Sequence, residues 1–183
     1  SPGNAAARLL VTRPDEIDIL TQDHQEIASA LGLTVTAAQR RDRAPLLMAM
    51  LVRHAVAEEE YVYPLVRDQV TGGERVADRG VSQHAQMEET MQQVLTVGRG
   101  DAELEHLFQA LVQQFRRHVR HDEVELFPRL RGSCTSSDLN WLGSRVSSTK
   151  TPSLGRGAPN THTALIDQVR AVLTAGTTRI TTE

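Results

Sequence analysis

An antiparallel bundle of four α-helices is the fold the sequence predicts, and three observations predict it. Apolar stripes of helical period run through most of the chain, strand signals are scarce, and aromatic residues make up only 3% of the 183. A hydrophobic fraction of 39% is enough to build a core. Cys134 is the only cysteine, which excludes an internal disulfide framework and a thiolate zinc cluster. A net charge of −3 gives no general attraction to nucleic acid or to an anionic membrane. With no run of 18 apolar residues and no secretory leader, the chain is expected to be soluble and cytoplasmic.

Residues 1–14, punctuated by Pro2, Gly3 and Pro14, read as a flexible arm. From Asp15 onward Ile17, Leu20, His24, Ile27, Ala28 and Leu31 recur at steps of three and four, the signature of one helical face. A second helix is expected to start near Pro45, with Leu47, Met50, Leu51, His54, Ala57, Glu58, Tyr61 and Leu65 on its stripe. Pro64 should kink or end it, and Thr71-Gly72-Gly73 marks a turn. A third helix carries His84, Met87, Glu88, Met91, Val94 and Leu95, and stops at Gly98-Arg99-Gly100. The fourth, with Asp101 as its expected N-cap, carries Leu104, Leu107, Phe108, Leu111, Phe115, His118, Asp122 and Leu126. These four form the bundle, residues 15–132. Residues 133–183 read as a Ser/Thr/Gly/Pro-rich linker, extended to about Asn160, with a short terminal helix around Ala164 to Leu173.

Each bundle helix carries one histidine on its apolar stripe: His24, His54, His84 and His118. A single such histidine is usually a core residue with one hydrogen bond. Four, one per helix, form a pattern. In an antiparallel hairpin, residues equidistant from the loop share a level, because each helix rises by about 1.5 Å per residue. The midpoints between successive histidines are residues 39, 69 and 101, each on or beside an expected loop. The four imidazoles therefore meet in one layer of the core.

Carboxylates join that layer. His54 and Glu58, and again His118 and Asp122, stand at i and i+4 on one face. The run HAVAEEEYVYPLV from His54 aligns without gaps to HVRHDEVELFPRL from His118, with an aromatic and then proline in the same places. The chain is thus two related hairpins with an approximate two-fold axis. Ionised acids buried without partners would cost several kcal/mol each, and a bound cation supplies the compensation. The donors exceed what one tetrahedral zinc needs, and the duplication suggests two metals bridged by the acids. Nitrogen and oxygen donors without sulfur suit iron or manganese, and zinc less distinctively.

These motifs (Asp23-His24, His54-x-x-x-Glu58 with Pro64, His84, and His118-x-x-x-Asp122 with Phe127-Pro128) resemble those of the hemerythrin-like, or HHE cation-binding, family. The resemblance spans roughly Asp15 to Gly132. It implies two iron ions with bridging carboxylates and an oxo or hydroxo group, with His24, His54, Glu58, His84, His118 and Asp122 as ligands. The oxygen-carrying hemerythrins have a second helix-3 histidine where this chain has Glu88, and a longer spacing before the last aspartate. The pattern is therefore closer to the bacterial hemerythrin-like branch, associated with peroxide, nitric oxide, oxygen or iron sensing.

Three neighbours are further candidates, as extra ligands or as groups behind the ligands: Glu88, Tyr61 and Tyr61's counterpart in the repeat, Glu125. Glu59, Glu60, Glu89 and Glu123 read as solvated flank residues, and His121 as a surface histidine. The leading functional expectation is a di-iron protein that binds or processes O2, H2O2 or NO. As an enzyme it would decompose peroxide in a catalase-like way, or reduce NO or O2. No Gly-rich flavin or nicotinamide loop is present, so electrons would come from an external donor protein. Alternatives are a sensor of iron, oxygen or redox state without turnover, and a bundle with a vestigial site or one zinc.

Overall fold

A computed structural model describes residues 15–96, 98 and 100–149. The described chain is helical: α1 (Glu16–Gly32), α2 (Ala37–Ala57), α3 (Tyr63–Gln69), α4 (Gly73–Val94), α5 (Asp101–His121), α6 (Phe127–Ser133) and α7 (Ser136–Thr149). Two widened π turns, Glu58–Val62 and Asp122–Leu126, splice α2 to α3 and α5 to α6. The bundle therefore has four long members, as the stripes predict: α1, α2–α3, α4 and α5–α6. The expected arm over 1–14 and the terminal helix around Ala164–Leu173 lie outside the described residues.

Local chemistry sets the ends. Asp15 and Asp18 form a capping box that opens α1, their side chains and backbone N–H groups bonded reciprocally at 3.0 and 3.2 Å. Thr36 and Gln39 do the same for α2, so that helix begins at Ala37 and carries Pro45 inside it, rather than starting at the proline. Gly72 takes a left-handed φ of 73°, which glycine adopts without steric cost. At the next residue, a Cβ on Gly73 would run into the Val66 carbonyl. Gly100, not Asp101, is the N-cap of α5.

Each π turn sits on the repeated motif. The Tyr63 N–H bonds the Glu58 carbonyl five residues back, and the Phe127 N–H bonds that of Asp122. Pro64 and Pro128 follow at once, in the first turn of α3 and α6. A proline in a regular helix loses one hydrogen bond and pushes against the carbonyl four residues back. The wider turn accommodates both effects, so Pro64 neither ends the helix nor breaks its course. The extra residue also shifts the buried face beyond each turn: Val62, Tyr63 and Val66 point inward, in place of the expected Tyr61 and Leu65.

The core has two apolar parts. One contains Ile27, Leu47, Leu51, Met87, Met91, Leu111 and Phe115; the other contains Leu20, Val62, Tyr63, Val66, Leu126, Phe127 and Leu130. Burial of each such side chain contributes roughly 1.5–3 kcal/mol. Between them lie the buried polar residues described below.

The segment expected as an extended linker instead begins with α7, which packs against α1 and the first π turn. Thr135 and Asp138 cap it, and Leu139, Leu142 and Val146 face inward. A Thr-x-x-Asp box followed by apolar residues at helical spacing was the signal for it in the sequence. No helix among the described residues is long and apolar enough to cross a membrane.

Gly73→Ala is expected to cost about 1–3 kcal/mol, as forced overpacking does, because the obstructing atom belongs to the backbone. Urea unfolding followed by circular dichroism checks this, with Gly132→Ala, where a Cβ meets open space, as the unperturbed control.

Candidate metal centre

The four stripe histidines meet at one level, with their Nε2 atoms turned inward. His24 Nε2 lies 3.1 Å from His54 Nε2, which lies 3.2 Å from His118 Nε2. Asp122 Oδ2 is 3.0 Å from His118 Nε2 and 3.5 Å from His24 Nε2. Glu58 reaches His84 Nε2 at 3.1 Å, His118 Nε2 at 3.4 Å and His54 Nε2 at 3.6 Å. Donor atoms of His24, His54, Glu58, His118 and Asp122 all fall within 4.8 Å of one another. His84 completes the layer through Glu58. All six residues are buried, with Glu58, His118 and Asp122 fully so.

The groups behind the rings follow the sequence duplication. Glu123 accepts from His24 Nδ1 at 2.9 Å, and Glu59 accepts from His84 Nδ1 at 2.8 Å. Glu59 and Glu123 are equivalent in the repeat, and each holds a histidine of the opposite hairpin. The two halves are therefore clasped by exchanged hydrogen bonds. Phe127 stacks on His24 with centroids 5.8 Å apart, and Tyr63, its counterpart, stacks on His84 at 5.6 Å. The symmetry breaks at the acids: the Tyr63 hydroxyl donates to Glu58 Oε2 at 3.1 Å, where Phe127 has no equivalent, and His121, which stands where the other half has Ala57, lies against Asp122. Gly80 leaves room for the Tyr63 hydroxyl, since a Cβ there would strike it.

The electrostatics are those of a core that needs positive charge. Burial and Asp122 push the Glu58 carboxyl up, but His54, His118 and His84 outweigh them and hold it below its ordinary value. Asp122 is held far below the usual carboxylate range; burial opposes this, and His121 and His24 dominate. Burial works to lower His84, yet Glu58 and Glu59 raise it to about 9. His24 rises too, because Asp122 and Glu58 outweigh its burial. His118 goes the other way, well below its ordinary value, through burial and the three neighbouring imidazoles. Burial and the two acids raise the Tyr63 phenol well above the usual range, so its proton stays on at neutral pH.

The donor set fits a cation. With the Nδ1 protons of His24 and His84 committed to Glu123 and Glu59, their Nε2 atoms turn lone pairs toward the centre. Lone pairs aimed at one another or at carboxylate oxygens about 3 Å away repel unless a proton or a metal ion lies between them. Glu58 Oε1 and Asp122 Oδ2 are buried and, among the described residues, accept no hydrogen bond. The donors are nitrogen and oxygen only, which suits iron, manganese or zinc.

The further candidates fall elsewhere. The added residue of the π turn rotates Tyr61 to the flank, within range of Glu60 and Arg145, so Tyr63 is the tyrosine of the site. The signal for this was in the aligned repeat, where the aromatic matching Phe127 is Tyr63. Glu125 pairs at the surface with Arg79 at 2.9 Å and Arg129 at 3.5 Å. Glu88 is buried on α4 but outside the group of close donors. Glu59 and Glu123, expected as solvated flank, hold the rings of His84 and His24. His121, expected at the surface, is buried with Nδ1 3.0 Å from Asp122 Oδ1.

Comparison with known proteins agrees with this geometry. Searches of curated proteins and of solved structures returned no match. A family model, described as the hemerythrin HHE cation binding domain, matches residues 15–131, from the cap of α1 to within two residues of the end of α6. The chain belongs to the hemerythrin HHE cation-binding family, and its clustered His, Glu and Asp side chains are able to hold a metal ion.

Proposed function

We propose that the layer holds two iron ions bridged by Glu58 and Asp122, with His24, His54, His84 and His118 as the remaining protein ligands. The centre would bind or process a small oxidant: O2, H2O2 or NO. One observation carries the reading. Inward Nε2 atoms from four helices surround two buried carboxylates in an arrangement that repeats across the two hairpins. Manganese or zinc is less favoured, because the site offers more donors than tetrahedral zinc uses and the family resemblance is to iron proteins.

Iron bound here would supply one-electron redox chemistry and an open position for the ligand. The chain's own residues do the rest. Glu123 and Glu59 fix the tautomer and tilt of His24 and His84. Phe115, Phe127 and the surrounding aliphatic core exclude water, which strengthens every electrostatic contact inside. Tyr63 holds a phenolic proton at Glu58 Oε2, whereas the neighbour of Asp122 is the imidazole of His121. That asymmetry distinguishes the two iron positions and provides a buried donor beside one of them.

A second reading is a sensor of iron, oxygen or redox state without turnover. The observation that favours it is α7, which lies beyond the matched family domain and packs on the π turn that carries Glu58. A change in occupancy at Glu58 would then be felt by the extension.

Protein expressed in iron-replete medium is expected to contain about two irons per chain, with a visible ferric band that changes on adding peroxide. Oxygen release would mark an enzyme, and an inert spectrum the sensor. One zinc, or no metal, contradicts the di-iron reading. Glu123→Gln is expected to keep the fold and weaken metal affinity roughly 10–100-fold, as loss of a ring-orienting group does, read by chelator competition. Because protons on His24 and His84 compete with metal, and His84 holds its proton up to about pH 9, uptake should release protons and weaken as the pH falls from 9 to 6. Tyr63→Phe should retain the metal and, if peroxide is turned over, slow its consumption at least tenfold.

A further inference from the structure

Beneath α7 lies an acid that the metal site does not use. Glu16, the first residue of α1, is fully buried, and among the described residues neither of its carboxylate oxygens has a hydrogen-bond partner. α7 closes over it: Gly143 lets the two backbones approach so closely that a Cβ there would stand 3.0 Å from the Glu16 nitrogen. Leu139 and Val146 of α7 share an apolar cluster with Ile17, Ile19 and Leu20 of α1.

Among the described residues no cation is directed at Glu16, and those whose charge acts on it are Asp15 at the start of its own helix and Glu58 on the first π turn, both negative. Cys134, which leads into α7, is a thiol raised by burial, by Asp138 and by Glu16 itself. The nearby basic groups are committed elsewhere. Arg131 of α6 pairs with Asp15 at 2.6 Å and Asp18 at 3.2 Å, and Arg145 of α7 lies over the exposed ring of Trp141. Asp138 of α7 is engaged in capping with Thr135.

We propose that Glu16 and α7 form a proton-controlled cap over this end of the bundle. The docked cap tolerates Glu16 only as the neutral acid, and undocking α7 brings the carboxyl into water, where it ionises. The sign follows from the two environments. Burial, with Glu58 and Asp15, raises the docked acid to about 8, against an ordinary value of 4.5. Docking is therefore firmest below about pH 4.5, weakens as the pH climbs to about 8, and levels off beyond. An opened cap uncovers the face of α1 and the π turn that carries Glu58 and Glu59. Burial beneath α7, the largest of the causes that raise Glu16, involves no residue of the histidine layer.

The test is amide hydrogen exchange on the full chain, corrected for intrinsic rates, comparing peptides from α7 with peptides from α5 between pH 6 and pH 8. The expected result is at least a tenfold rise in α7 opening in the natural chain, no matching rise in α5, and a flat profile in Glu16→Gln. Trp141, the only tryptophan and itself on α7, gives a second readout, since its fluorescence anisotropy should fall over the same range in the natural chain alone. Glu16→Leu, which removes the polar group entirely, should behave as Glu16→Gln and serves if that variant is poorly folded. An α7 equally protected at both pH values, or one that opens alike in the natural chain and both variants, would overturn the proposal.

Discussion

Two ionised acids in the middle of a helical bundle are the constraint on which the rest of this structure depends. Glu58 and Asp122 have no exposure, and an uncompensated carboxylate in such a place costs several kcal/mol. The surrounding molecule sets imidazoles against them, with the Tyr63 hydroxyl on Glu58 and two further acids, Glu59 and Glu123, behind the rings. Four imidazoles close on the acids from four different helices, and apolar clusters above and below seal the layer. The same groups that make the layer costly in isolation make it selective for a cation.

The two π turns show how a short stretch of sequence builds such a layer twice. In each copy a histidine, an acid four residues on, a second acid, an aromatic and a proline occur in the same order. The first acid faces the centre. The second crosses to hold the histidine of the opposite hairpin, and the aromatic stacks on that same ring. In a regular helix, the positions of these groups five and nine residues after the histidine would not suit both tasks. The extra residue in the turn re-aims them, and the proline after it fits because the wider turn relieves its clash. Tyr63 and His121 depart from the repeat, the one beside Glu58 and the other beside Asp122, and they make the two sides of the centre chemically unequal.

Much of this was legible in the sequence, because helical period and antiparallel connection turn residue spacing into height. The stripe of α5 is buried along its whole predicted course, and the level shared by His24, His54, His84 and His118 follows from loop positions alone. What was not legible depended on register or on partners from distant helices. Tyr61 and Leu65 were expected inward because a constant 100° step per residue carries no sign of a π turn. Glu59 and Glu123 read as a solvated charge run, since nothing local shows that an imidazole from the other hairpin will meet them. Glu125 was drawn away by Arg79, on a helix far off in sequence. The helix α7 was concealed by its Ser-rich composition, although the Thr135–Asp138 capping box marked its start.

That additional helix gives the bundle a component outside the family domain, resting on the turn that carries one of the two central acids. The account as a whole stands on the layer being a dinuclear metal site. Anomalous diffraction at the iron edge, from crystals of the iron-loaded full chain, tests that most directly. Two peaks between Glu58 and Asp122, one nearer His84 and the other nearer His24, are the predicted result. A single peak, a peak outside the histidine layer, or none in protein shown to be folded would contradict it.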